Sequence, residues 1–300
     1  MPKSTINQLW SQLPSIPLLR RGWHLTRIDT VSDFVSDASA IDAFAASLDE
    51  HLRHIAHEIR EGSYRPHALA RIDVPKSALS VRPGSILSIE DRIVLFSSII
   101  LIARVLDSRL SPSVYSFRLK RELRDRGSLF EETDIYDIPY IKRKTIRSRI
   151  DPFDPWYAKW PEFDEASKEA FRTAGHQFMA VSDISAYFEN ISLPILREFL
   201  LANFPNEPRL INFIMSFFDA WASPDISGRR HARSIPQGSN VSSFLGIFSL
   251  FLLMSACGNS VKITDQHIFV IWMTYVYSPK IKLLHADLYS SLMMPFAHCT

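Results

Sequence analysis

The stretch VSDISAYFENI, Val181 to Ile191, decides how the rest of the chain is read. It completes HQFMAVSDI, His176 to Ile184, a short run of apolar and small residues that reads as a buried strand. A carboxylate, Asp183, stands at the end of that run, and two aromatics, Tyr187 and Phe188, follow it. An acid at a strand end can hold a metal ion, and it can equally serve as a turn or helix cap. Metal-assisted phosphoryl transfer needs more than one such acid. The reading therefore turns on what the flanking sequence supplies.

Outward from that stretch, the composition is globular. The chain has 300 residues, 46% hydrophobic and 22% charged, which allows one large domain or two ordinary ones and argues against disorder. A net charge of +2 and a pI near 8.5 neither demand nor exclude nucleic acid, because a basic channel can hide inside a balanced total. Arginine is dense in RLKRELRDR (Arg118–Arg126) and IKRKTIRSR (Ile141–Arg149), either of which could contact phosphates. The two cysteines, Cys257 and Cys299, make no CxxC or Cys/His spacing, so no zinc site is expected. Few cysteines and no signal peptide point to the cytoplasm. The longest apolar runs, IVLFSSIILIARVL and FLGIFSLFLLM, are shorter than a bilayer span, so no membrane partner is expected.

Helical apolar spacing covers residues 38–60 and ends at Gly62. HALARIDVPKSALSVRPGSILSI alternates, with Pro and Gly punctuation, as a small hairpin does. Glu90 to Leu110 reads as a buried helix, and residues 127–175 as irregular with short helices. SLPILREFLLANF and PRLINFIMSFFDAWA read as helices, and RRHARSIPQGSNVSSFLGIFSLFLL as a turn feeding an apolar helix. Strands and helices mix without a βαβ rhythm or a glycine-rich phosphate loop, and only 9 Gly are present. The expected class is α+β, not a dinucleotide-binding or P-loop fold.

Three segments, in order, resemble the reverse transcriptase family of the group II intron, retron and phage-defence type. VPKSALSVRPGSILSIEDRIV resembles its fingers motif, SDISAYFENI its first palm motif, and SIPQGSNVSSFLGIFSL its Pro-Gln-Gly motif with the following helix. The IEDRIV and VYSFRL texture is most similar to bacterial defence-associated members. The resemblance implies a right-hand polymerase, helix-rich, with fingers over 61–175 and a partial palm over 176–253, after an N-terminal helical region at 1–60. The thumb would be absent. It further implies RNA-directed DNA polymerase chemistry: RNA template, DNA or RNA primer, deoxynucleoside triphosphates and two magnesium ions.

The implied roles fall on named residues. Asp183 would be a bridging metal ligand, with the Ile184 carbonyl as a second oxygen. Phe188 would lie under the sugar and exclude a 2′-hydroxyl; read from the residues alone it is a core aromatic, as Tyr187 is. Lys76 and Arg82 would reach the triphosphate, Arg as a fork and Lys as a point charge. The SALSV between them lacks the glycine common in the family. Gln237 and Gly238 would line the nucleotide pocket, the glycine allowing close backbone approach. Asn240 stands where the family often has proline, and Ser239 or Asn240 could instead simply cap the next helix. Arg118 would point toward template or nucleotide; a charged helix face is the alternative.

The family's aromatic-x-Asp-Asp hairpin does not follow in this frame. Asp265 and Asp287 stand isolated. Yet Trp272-Met273-Thr274 must be encoded TGG-ATG-AC, which one base earlier reads GAT GAC, Asp-Asp, whatever codons are chosen elsewhere. The neighbouring residues permit RYMDDVRIFAKN in that frame. The expectation is that residues 254–300 are read out of frame by one base. This chain would then hold one catalytic acid and be inactive as written. Two other readings remain at this point: a non-catalytic nucleic-acid-binding remnant of the same fold, and a helical protein-interaction domain.

Overall fold

A computed structural model describes residues 6–30, 35, 37–75, 81–112, 114–120, 152–154, 156–173, 178–183, 187–222, 234–258 and 267–272. Four helices come first: α1 (Gln8–Gln12), α2 (Ile16–Asp29), α3 (Ala38–Ala46) and α4 (Leu48–Glu61). Strands β1 (Ala70–Pro75) and β2 (Val81–Ile86) follow, then α5 (Ile89–Asp107) and α6 (Trp156–Thr173). The second half holds β3 (Phe178–Asp183), α7 (Tyr187–Asn190), α8 (Leu193–Asn203), α9 (Pro208–Trp221), α10 (Asn240–Gly258) and β4 (His267–Trp272). This is a helix-rich α+β chain whose described strands make two small sheets, β1–β2 antiparallel and β3–β4 parallel.

Helix α5 is the axis of the core. Ser88 caps its start by accepting from the Asp91 N–H at 3.1 Å, and Glu90 and Asp91 in the first turn complement the helix dipole. Every residue from Asp91 to Ile100 is buried, so the helix is covered on all sides. Its tightest neighbour is α2. Gly22 on α2 meets α5 so closely that a Cβ there would collide with Ser97 Oγ and come within 2.5 Å of the Ile93 carbonyl oxygen. Ser97 Oγ donates to Ile93 O of its own helix at 2.7 Å and also lies 3.3 Å from the Leu18 carbonyl of α2, so it is satisfied without spreading the pair.

Helix α9 supplies an aromatic seam. Phe213 meets Trp10, Tyr64 and Phe217, and Phe217 meets Trp221, with ring centroids 5.1–6.0 Å apart. The seam ties the chain's beginning to its middle. Buried Glu207, just before α9, accepts the N–H groups of Leu9 at 2.8 Å and Trp10 at 3.2 Å. Arg209 lies 4.4 Å above the Trp10 ring.

Two expectations are corrected. Residues 38–60 are not one helix: the chain breaks at Ser47 (φ −125°, ψ 34°), which ends α3 and opens α4. The stop at Gly62 holds, in left-handed conformation at φ 71°. Within 127–175, the described part includes α6, an 18-residue helix with Pro161 inside it. Its charged, Pro-containing sequence concealed its periodicity. The hairpin, the Asp183 strand and the helices α5, α8, α9 and α10 match the sequence pattern, α5 ending at Asp107 where Leu110 was expected. No helix among the described residues is long and apolar enough to cross a membrane.

Candidate functional site

The three motif segments converge on residues 234–246. The Ser85 N–H of β2 donates to the Gln237 carbonyl at 2.9 Å. On the other side, the Ile235 N–H donates to Phe188 O at 2.9 Å and the Ser234 N–H to Ile191 O at 3.0 Å. The Tyr187 hydroxyl donates to the Gly246 carbonyl, and a Cβ at Gly246 would touch Tyr187 at 3.4 Å and Phe188 at 3.6 Å. Main-chain bonds thus fasten the Pro-Gln-Gly turn to the hairpin on one side and to the segment after Asp183 on the other. Local chemistry shapes the turn itself. Gly238 sits at φ 141°, a region that disfavours any side chain. Ser239 is the cap of α10, its Oγ accepting the Val241 N–H at 3.2 Å.

The hairpin stands on a firm base. Asp91, buried in the first turn of α5, accepts from Tyr64 Oη at 2.7 Å and from the His67 N–H at 2.9 Å. Burial, and then the Asp91 charge, push the Tyr64 phenol well above its ordinary range. Trp221 Nε1 donates to the His67 carbonyl at 2.8 Å, and Arg71 returns a bond to the Trp221 carbonyl at 2.8 Å. Beyond Arg71 the strands leave the core: Asp73, Pro75 and Val81 are exposed. A two-stranded ribbon of this kind owes its order to its base.

Asp183 is the last residue of β3, and its backbone partner is Trp272, the last of β4. Trp272, the first residue of the segment whose codons force Asp-Asp in the other frame, therefore stands beside Asp183. Ile184 lies outside the described residues, as does Lys76. Arg82 sits in β2 opposite Val74. Phe188 is 9% exposed and packs with Tyr187 and α10. Gln237 and Gly238 are half-buried in the turn.

Arg118 points inward. Its Nε donates to Asp107 Oδ1 at 3.0 Å, Nη1 to the carbonyls of Ser111 (2.9 Å) and Val114 (3.3 Å), and Nη2 to Asp107 Oδ2 at 3.2 Å. Asp107 also accepts the Leu119 N–H at 2.8 Å. The guanidinium closes the loop after α5, and each of its nitrogens is engaged within the chain. Of the two basic runs, only Arg118–Lys120 lie among the described residues.

No protein-family model and no curated protein matches the chain. Among the described residues, no three His, Cys, Asp or Glu side chains are grouped to hold a metal ion. One assigned carboxylate at a strand end does not make the donor set that two magnesium ions need.

Proposed function

We propose that the chain derives from an RNA-directed DNA polymerase that extends a primer 3′-hydroxyl with deoxynucleotides on an RNA template, in the setting of bacterial anti-phage defence. The observation that carries this reading is the convergence of the three motif segments. Ser85, Phe188 and Gln237 lie in segments about a hundred and fifty residues apart at the extremes, yet main-chain bonds of 2.9 Å join them. Accidental motifs in a helical interaction domain have no reason to meet. In the reading, Asp183 is a metal ligand with the Ile184 carbonyl, Lys76 and Arg82 take the triphosphate, Phe188 gates the sugar, and Gln237 with Gly238 forms the pocket wall. Arg118 drops out of the nucleic-acid contacts, because its donors serve Asp107 and the loop after α5.

As written, the polypeptide lacks the acid pair, so it has negligible polymerase activity; magnesium-dependent synthesis by the purified chain would refute that. Reading the gene one base earlier after about Leu253 gives Asp-Asp in the codons of Trp272–Thr274. The deciding experiment expresses that frame-restored product and measures deoxynucleotide incorporation on a primed RNA. Templated, magnesium-dependent synthesis abolished by Asp183→Asn is the expected result. If the coding DNA holds no aromatic-x-Asp-Asp hairpin in that frame, the enzymatic reading fails.

A further inference from the structure

Asp29 is an odd residue for its place. It is the last residue of α2, where the helix dipole disfavours a carboxylate, and it is 1% exposed. Burying a charge is costly unless it is paired and hydrogen-bonded. Here Arg92 Nη1, itself 1% exposed on α5, donates to Asp29 Oδ2 at 2.6 Å. The other oxygen, Oδ1, accepts the backbone N–H of Asn240 at 3.0 Å. Asn240 is the first residue of α10, two after Gly238. The Gln237–Gly238 turn is therefore tied at both ends: by Ser85 at the Gln237 carbonyl and by Asp29 at the Asn240 amide. One carboxylate links α2, α5 and α10 across 63 and 211 residues of sequence. Local helix chemistry does not ask for an acid there; the tertiary tether does.

We propose that Asp29, held in place by Arg92, is a positioning residue for the Gln237–Gly238 turn, fixing through Asn240 where that turn meets β2. Its bearing on nucleotide binding rests on the polymerase reading, but the tether itself does not. The Asp29–Arg92 pair aims an acceptor, and the Asn240 amide is what it aims at.

Three variants of the full chain test this by amide hydrogen exchange, with no substrate present. Asp29→Leu with Arg92→Met removes both charges and the acceptor, an exchange that buried ion pairs often tolerate. Asp29→Asn with Arg92→Met removes the charges but keeps an acceptor for Asn240. Asn240→Pro removes the donor at a first-turn position where proline fits. The expected result is exchange at Ser85 faster by about tenfold or more in the first and third variants, and within about threefold of the parent in the second. Amides in the middle of α5 stay at parental rates. Parental exchange at Ser85 in Asn240→Pro overturns the proposal, as does equal acceleration at Ser85 and throughout α5. If the Asp29→Leu pair fails to fold, Asn240→Pro alone decides. Failure of the polymerase assay leaves this result standing, and the reverse also holds.

Discussion

The crossing of α2 on α5 and the β1–β2 hairpin show two ways of using sequence. At the crossing, Gly22, Ser97 and Ile93 are fixed by contact, and nearly every side chain is buried. At the hairpin, side-chain anchoring stops at Arg71, and beyond it Asp73, Pro75, Val81 and Pro83 face solvent. The proposed chemistry sits with the second kind of region: a strand end, a hairpin and a turn, with hairpin and turn joined by a main-chain bond and tied to the first kind through the Asp91 and Asp29 carboxylates. Stability and the candidate site therefore rest largely on different residues, with the buried Asp29–Arg92 pair as the link between them.

The separation can be tested from its strongest side. Gly22→Ala is expected to cost about 3 kcal/mol in chemical denaturation, because the Ile93 carbonyl is backbone and cannot yield as a side chain would. A neutral result would mean that the crossing is not fixed by contact. The next effect is a pH dependence confined to α2. Burial, and then Arg27, Arg21 and Arg20, push His24 down to about 4, against an ordinary 6.5. Between those values the unfolded chain binds more proton than the folded one. Stability is therefore complete above about pH 6.5 and falls as pH drops toward 4, by on the order of 2 kcal/mol between pH 7 and pH 5. Denaturation midpoints at the two pH values should show that loss in the parent and little of it in His24→Gln. The smallest effect belongs to the hairpin: Asp73→Ala should change stability by less than about 0.5 kcal/mol. A loss above about 2 kcal/mol there would merge the two regions into one cooperative unit.

Much of the helical body was legible because its signals are local. Ser88 before an apolar run marks the start of α5, and Gly62 marks the end of α4. The break at Ser47 was not legible: apolar spacing runs through it, and only tertiary packing turns the chain there. Helix α2 falls inside the expected helical region at 1–60, but its own bounds were not legible, because IPLLRRGWHLTRID mixes arginines and a glycine into a stripe whose sense depends on α5. At the candidate site, Asp183, Phe188, Gln237 and Gly238 were picked out by motif. Asp29 was not, since an acid at a helix end is unremarkable until its partners, 63 and 211 residues away, are placed beside it. Arg118 was read outward because a basic run has no sign of direction; Asp107, eleven residues earlier, supplied it.

The clasp of Glu207 on Leu9 and Trp10 has a consequence in time. Those groups are separated by up to 198 residues. At roughly 5–20 residues per second, the first helix waits on the order of ten seconds or more after its synthesis for its acceptor to be made. Until then the Leu9 and Trp10 amides and the Trp10 ring have water or chaperones for company. Once Glu207 emerges, the clasp can shut, and every part of it is translated before Trp272. The helical body can therefore close around its own beginning before Trp272, at the end of β4, is translated.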